Sequence, residues 1–165
     1  MISFADVSGT SRNAIEEGVL MKDRTTVTDI IAAIAQKIDV MFQGKYQVYT
    51  DKTEQDFQVP CFFIRLSQLR EDPFFYNRRK KIATFEITFF QKQDNAEERN
   101  TVADEMRRIL RFLEVSTGII RGIRYEGTVS DGVLVMMIQF HYFVTEEYGK
   151  EVLMHILTER RKVKE

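Results

Sequence analysis

Apolar positions along the chain follow two rhythms. Val27, Ile30, Ile31, Ile34, Ile38 and Met41 recur at helical spacing, which predicts a helix over 27–42. Thr26 supplies an N-cap, Asp29 three residues on approaches a capping box, and Gly44 provides the stop. Residues 46–50 alternate as a short strand, and 51–59 form a polar connection. After Pro60 comes Cys61-Phe62-Phe63-Ile64-Arg65-Leu66, an apolar run of strand length. Alternation puts Cys61 and Phe63 on one face and Phe62, Ile64 and Leu66 on the other. Residues 69–77 read as a loop, with Asp72-Pro73 inside it and Phe74, Phe75 and Tyr76 at its tip. Arg78, Arg79, Lys80 and Lys81 then open a cleanly alternating strand over 82–91, with Ala83, Phe85, Ile87 and Phe89 facing inward.

Helical spacing returns at Val102, Met106, Ile109, Leu110 and Leu113, giving a second helix over 96–113. Asn95 caps it, and Glu97 and Glu98 lie in the first turn, where the helix dipole favours acids. Two further strands, 121–129 and 133–145, are joined at Ser130-Asp131-Gly132, a strong hairpin signal. The last strand is apolar on both parities, so it is expected to be central in a sheet or to meet a partner. The predicted fold class is α+β, a mostly antiparallel β-sheet with two main helices packed on one side.

The ends read differently. Residues 1–25 form an N-terminal arm with a weak pattern. Met21 is a candidate natural start, because Glu16-Glu17-Gly18 is often coded by a purine-rich stretch; an ordinary arm is the other reading. Residues 26–148 form the domain, and 149–165 a C-terminal arm or short helix. That arm holds an apolar stretch, Val152, Leu153, Met154, Ile156 and Leu157, before a charged end.

Composition narrows the chemistry. With 165 residues, 44% apolar and 30% charged, the chain suits one folded domain and excludes collagen-like or disordered classes. Lys and Arg number 24 against 25 acids, a balance that argues against nucleic-acid binding by bulk charge. One cysteine excludes an internal disulfide, and with two histidines leaves few soft ligands for zinc. Cys61 reads as a buried structural thiol, and His141 as a hydrogen-bonded core or interface residue. His155 has less support still as a base. No spacing suggests a catalytic, cofactor or metal site. No apolar stretch is long enough for a transmembrane helix, so no membrane partner is expected.

The basic run Arg78–Lys81 has two readings: contact with phosphate or an acidic surface, or a solvated strand entrance beside Glu71 and Asp72. Three adjacent aromatics beside it rarely all bury within their own domain, and such a tip suits insertion into a neighbour.

The ordered set of segments resembles the small tail terminator proteins of phages and prophages of Gram-positive bacteria, including contractile phage-tail-like particles. The likeness rests on Glu54–Leu66 with its Pro60-Cys61 entry, on the basic-entrance strand Arg78–Lys92, and on the hairpin around Val129–Leu134, in order across 26–148. The resemblance implies a structural virion protein, assembled in the bacterial host cytoplasm. It would form a ring, usually six-fold, on the head-proximal end of a tail tube, ending tube and sheath polymerisation and offering a surface to the neck. Its implied partners are copies of itself, the tube protein, a sheath protein in contractile tails, and a neck or connector protein, with at most loose DNA contact in the lumen. Phe74, Phe75, Tyr76, Arg78, Arg79, Lys80 and Lys81, with the apolar stretch of the C-terminal arm, are the expected interface. The alternatives are a neck or head–tail joining protein and, outside assembly, a small-ligand or regulatory α+β binding domain.

Overall fold

The computed structural model describes residues 24–50 and 56–146. The N-terminal arm up to residue 23, and the C-terminal stretch of Val152, Leu153, Met154, Ile156 and Leu157, lie outside the described residues. Helix α1 (Val27–Met41) begins where the sequence places it. The Thr26 hydroxyl accepts from the Asp29 N–H and the Asp29 carboxylate accepts from the Thr26 N–H, a complete capping box. Gln43 and Gly44, both at positive φ, end the helix. Ile30, Ile34 and Ile38 are its fully buried face.

Strand β1 (Gln47–Tyr49) is short and pairs in parallel with the start of β2 (Cys61–Phe75). Antiparallel pairing then joins β2 to β3 (Arg78–Phe90), and β3 to β6 (Val133–Thr145). Helix α2 (Ala96–Ile109), strand β4 (Phe112–Val115) and strand β5 (Gly118–Ser130) complete the elements among the described residues. The six strands lie in the order β1-β2-β3-β6-β5-β4, so β6 is central as its two apolar parities suggest. Asp131 and Gly132, both at positive φ, make the tight turn between β5 and β6.

One parity of the sheet makes a single core with the helices. Phe62 and Ile64 from β2, Phe85, Ile87 and Phe89 from β3, and Met136 and Phe140 from β6 are fully buried there. Val102, Met106 and Leu110 meet them from α2 and the turn after it. Phe62 and Phe89 stack at 4.8 Å, and Tyr46 stands edge-on to both. The Tyr46 hydroxyl donates to Glu98 Oε1 (2.8 Å), and Gln91 Nε2 donates to Oε2 (2.7 Å). Burial opposes ionisation of Glu98, but these hydrogen bonds and Lys45 outweigh it and hold the carboxyl below its usual value.

Two expectations are corrected. Residues 69–75 are strand, not loop. β1 covers only Cys61–Phe63, so the outer half of β2 is a sheet edge among the described residues, the kind of strand in which proline is found. Helix α2 ends at Ile109, and Leu113, although buried, belongs to the edge strand β4. Leu66 lies opposite Phe85, on the face of Phe62 and Ile64 as the alternation places it, and is 36% exposed.

Candidate functional site

The β2–β3 hairpin closes at the pair Phe75–Arg78, with Tyr76 (φ 51°) and Asn77 as the turn. Its tip is tied down from behind, because the Glu146 N–H donates to the Asn77 carbonyl (2.8 Å). Phe74 is 58%, Phe75 74% and Tyr76 76% exposed, so all three aromatics face outward from an ordered strand end. Phe74 rests against Phe143 of β6, with ring centroids 4.8 Å apart. The Arg78 guanidinium lies over both rings, 4.8 Å from Phe143 and 5.9 Å from Phe74.

Strand alternation splits the basic run between the two faces. Arg78 and Lys80 lie on the face away from the helices, and Arg79 and Lys81 on the helix side. Arg79 pairs with Glu146 (3.5 Å) and Lys81 with Glu71 (3.1 Å). Lys80 stands opposite Asp72, which also takes a hydrogen bond from Arg70 Nε (2.9 Å). The Arg70 hydrogen bond, aided by Lys80, keeps the Asp72 carboxyl below its ordinary value. The four cations are thus spread over two faces and accompanied by acids or rings, rather than aligned as one stripe.

His141 lies between Ile82 and Arg121 on the open face. Its Nε2 is buried and, among the described residues, has no hydrogen-bond partner, unlike the satisfied histidine expected from sequence. Burial first, then the charges of Lys80 and Arg70, hold the imidazole below its usual range. The unfolded chain therefore takes up this proton at higher pH than the folded chain does, so the contribution of His141 to stability falls as pH drops below about 6.5. In thermal melts between pH 7.5 and 5.5 the parent protein should lose more stability than His141→Gln; equal losses would remove this role for His141. Cys61 is buried, and burial alone pushes its thiol pKa up, away from reactivity.

A second cluster escaped the sequence reading. Arg107, Arg108, Arg111, Arg121 and Arg124 line one cleft of about 540 Å³ between the end of α2 and β5. Arg124 (φ 56°) occupies a register shift between Ile123 and Tyr125. Gly122 lets the turn after α2 lie directly on β5, with its N–H donating to the Arg111 carbonyl (2.9 Å). Tyr125, whose hydroxyl donates to the Ala103 carbonyl (3.0 Å), forms the floor with Ile138; burial pushes its pKa to about 12.

Among the described residues no group of His, Cys, Asp and Glu is arranged to hold a metal, and no helix is long and apolar enough to cross a membrane.

Comparison with solved structures gives a chain from a structure described as the virion of a native gene transfer agent particle. It shares 13% identity with a TM-score of 0.49, covering 77% of this chain and 100% of that one. A second solved chain, at 10% identity and a TM-score of 0.42, has the same coverage. No curated protein matches the sequence. The sequence model of a family described as phage tail terminator protein matches residues 29–150, which takes in the secondary structure of the described residues after the start of α1. The chain belongs to the phage tail terminator family, and its role is that of a structural component of a phage tail.

Proposed function

We propose that this protein caps the head-proximal end of a phage tail tube as a ring, usually six-fold. The ring stops further addition of tube, and of sheath in a contractile tail, and leaves a surface for the neck to dock. The observation that carries this reading is the exposed Phe74-Phe75-Tyr76 tip on a hairpin anchored by β6 and Glu146. A rigid strand end with three outward rings gives large contact area at low ordering cost. The companion residues Arg78, Arg79, Lys80 and Lys81 sit beside acids or rings, which suits a protein surface and only loose contact with DNA in the lumen. The apolar arm residues Val152, Leu153, Met154, Ile156 and Leu157 are assigned to the same contacts. The role is structural and non-enzymatic, exercised in the particle after assembly in the host cytoplasm.

The test is tail length by electron microscopy after deletion of the gene from the phage or prophage that encodes it. Overlong, ragged tubes are expected, restored to normal length by the parent gene in trans. A gene carrying Phe74→Ser, Phe75→Ser and Tyr76→Ser together should fail to restore it. Normal-length tails that do not join heads would make this a neck protein instead. Unchanged particles would return the chain to the ligand-binding reading.

A further inference from the structure

We infer that the arginine cleft beside β5 receives the acidic end of α2 from a second copy of this chain. The proposal rests on the ring reading above and names two matching patches within it.

The basic patch is the cleft lined by Arg107, Arg111, Arg121 and Arg124. None of these four forms an ion pair among the described residues; Arg108 alone of the five is matched, by Glu105 (2.6 Å). Asp104 is the one carboxylate among the lining residues. Guanidinium groups that outnumber the carboxylates around them repel one another, and their planar forks fit a carboxylate brought from outside.

The acidic patch lies at the other end of the same helix. Asp94, Glu97 and Asp131 are exposed there. The β5–β6 turn is held against the start of α2, because Arg99 bonds Asp94 and also donates to the Gly132 carbonyl (3.4 Å). Neither Glu97 nor Asp131 forms an ion pair among the described residues.

Helix-dipole complementarity accounts for part of this pattern, since acids suit the start of a helix and cations its end. It does not account for Arg111, Arg121, Arg124 or Asp131, which lie outside α2. The ends of α2 are about 20 Å apart at 1.5 Å per residue. That is about two and a half times the screening length of about 8 Å at physiological salt, so the patches cannot neutralise each other within one chain. A head-to-tail ring needs two different surfaces that match, one on each side of every subunit. Two unmatched patches of opposite sign at opposite ends of one helix meet that requirement. The near-zero net charge fits too: the cations of the cleft are balanced by acids elsewhere on the same chain, so a copy of the chain carries what the cleft lacks.

The experiment uses the full chain and measures assembly mass against concentration by light scattering. Arg121→Glu with Arg124→Glu makes a cleft variant, and Glu97→Lys with Asp131→Lys makes an acidic-end variant; circular dichroism checks that each is folded. Each alone should need at least about tenfold higher concentration to assemble, because each removes the charge complementarity at every contact. Mixed in equal amounts they should assemble again, since alternation around the ring restores an opposite-charge contact at every junction. Folded variants that assemble like the parent overturn this contact and leave the ring reading intact. A mixture that stays dispersed also overturns it. Unchanged assembly with lost retention of a short DNA duplex would reassign the cleft to nucleic acid. A parent chain that stays monomeric throughout would overturn both the contact and the ring.

Discussion

Phe89→Ala should cost about 3–5 kcal/mol, a large part of the roughly 5–15 kcal/mol that holds a typical domain folded. Phe89 is fully buried, stacked on Phe62 and met edge-on by Tyr46. Phe42, just past α1, packs on both Phe62 and Tyr46, so the cluster joins the end of α1 to β2 and β3. Truncation removes the transfer energy of the ring, opens a cavity between elements that cannot collapse independently, and breaks two aromatic contacts. The next residue provides the control. Phe90 points to the opposite face, is only partly buried, and touches Phe57 and Phe63 at the sheet edge. Phe90→Ala should cost less than half as much. Urea titration of the two variants with unchanged slope checks the pair, because equal midpoints would mean that the face assignment of β3 is wrong.

That contrast depends on alternation, the signal that made this part of the fold legible. Strand β6 was legible by a different signal, apolar residues on both parities, and the Asp131-Gly132 turn and the Thr26–Asp29 capping box needed only local chemistry. The outer half of β2 was not legible because its strand is held by features that resemble a loop. Asp72 and Glu71 find Lys80 and Lys81 only across the hairpin, and Pro73 is tolerated only because that edge is open. Strand β4 was hidden by coincidence of period: Leu110 and Leu113 continue the helical spacing of Met106 although the helix has ended. Half of the candidate site, the aromatic tip with its basic neighbours, was named from sequence, but the pairing of each cation was not. The arginine cleft depends on a bulge at Arg124 and a close approach at Gly122, neither of which has a local signature. Its one available trace was density, five arginines between Arg107 and Arg124.

Gly122→Ala is expected to destabilise the fold by about 3 kcal/mol, at the upper end of overpacking costs. Elsewhere the same change commonly stabilises by about 0.4–1 kcal/mol through the unfolded chain, so the sign is the test. Backbone conformation is not the obstacle, since the φ of Gly122 lies outside the left-handed region. The obstacle is space. A Cβ there would stand 2.3 Å from the Leu110 carbonyl oxygen and 2.8 Å from Ile138 Cδ1. The isoleucine methyl can rotate away, but the carbonyl belongs to the residue that ends α2 and cannot move alone. Relief requires β5 to part from the turn. That strains the bond from Gly122 to the Arg111 carbonyl and the bond from Tyr125 to Ala103, and it spreads the arginines of the cleft. Gly127 is the matched control on the same strand, where an added Cβ meets nothing nearer than Leu134 Cδ1 at 4.0 Å. Gly127→Ala should therefore be neutral or slightly stabilising. If thermal melts show the two alanine variants equally stable, the turn after α2 is not seated on β5. The cleft that depends on that seating would then lose its geometric basis.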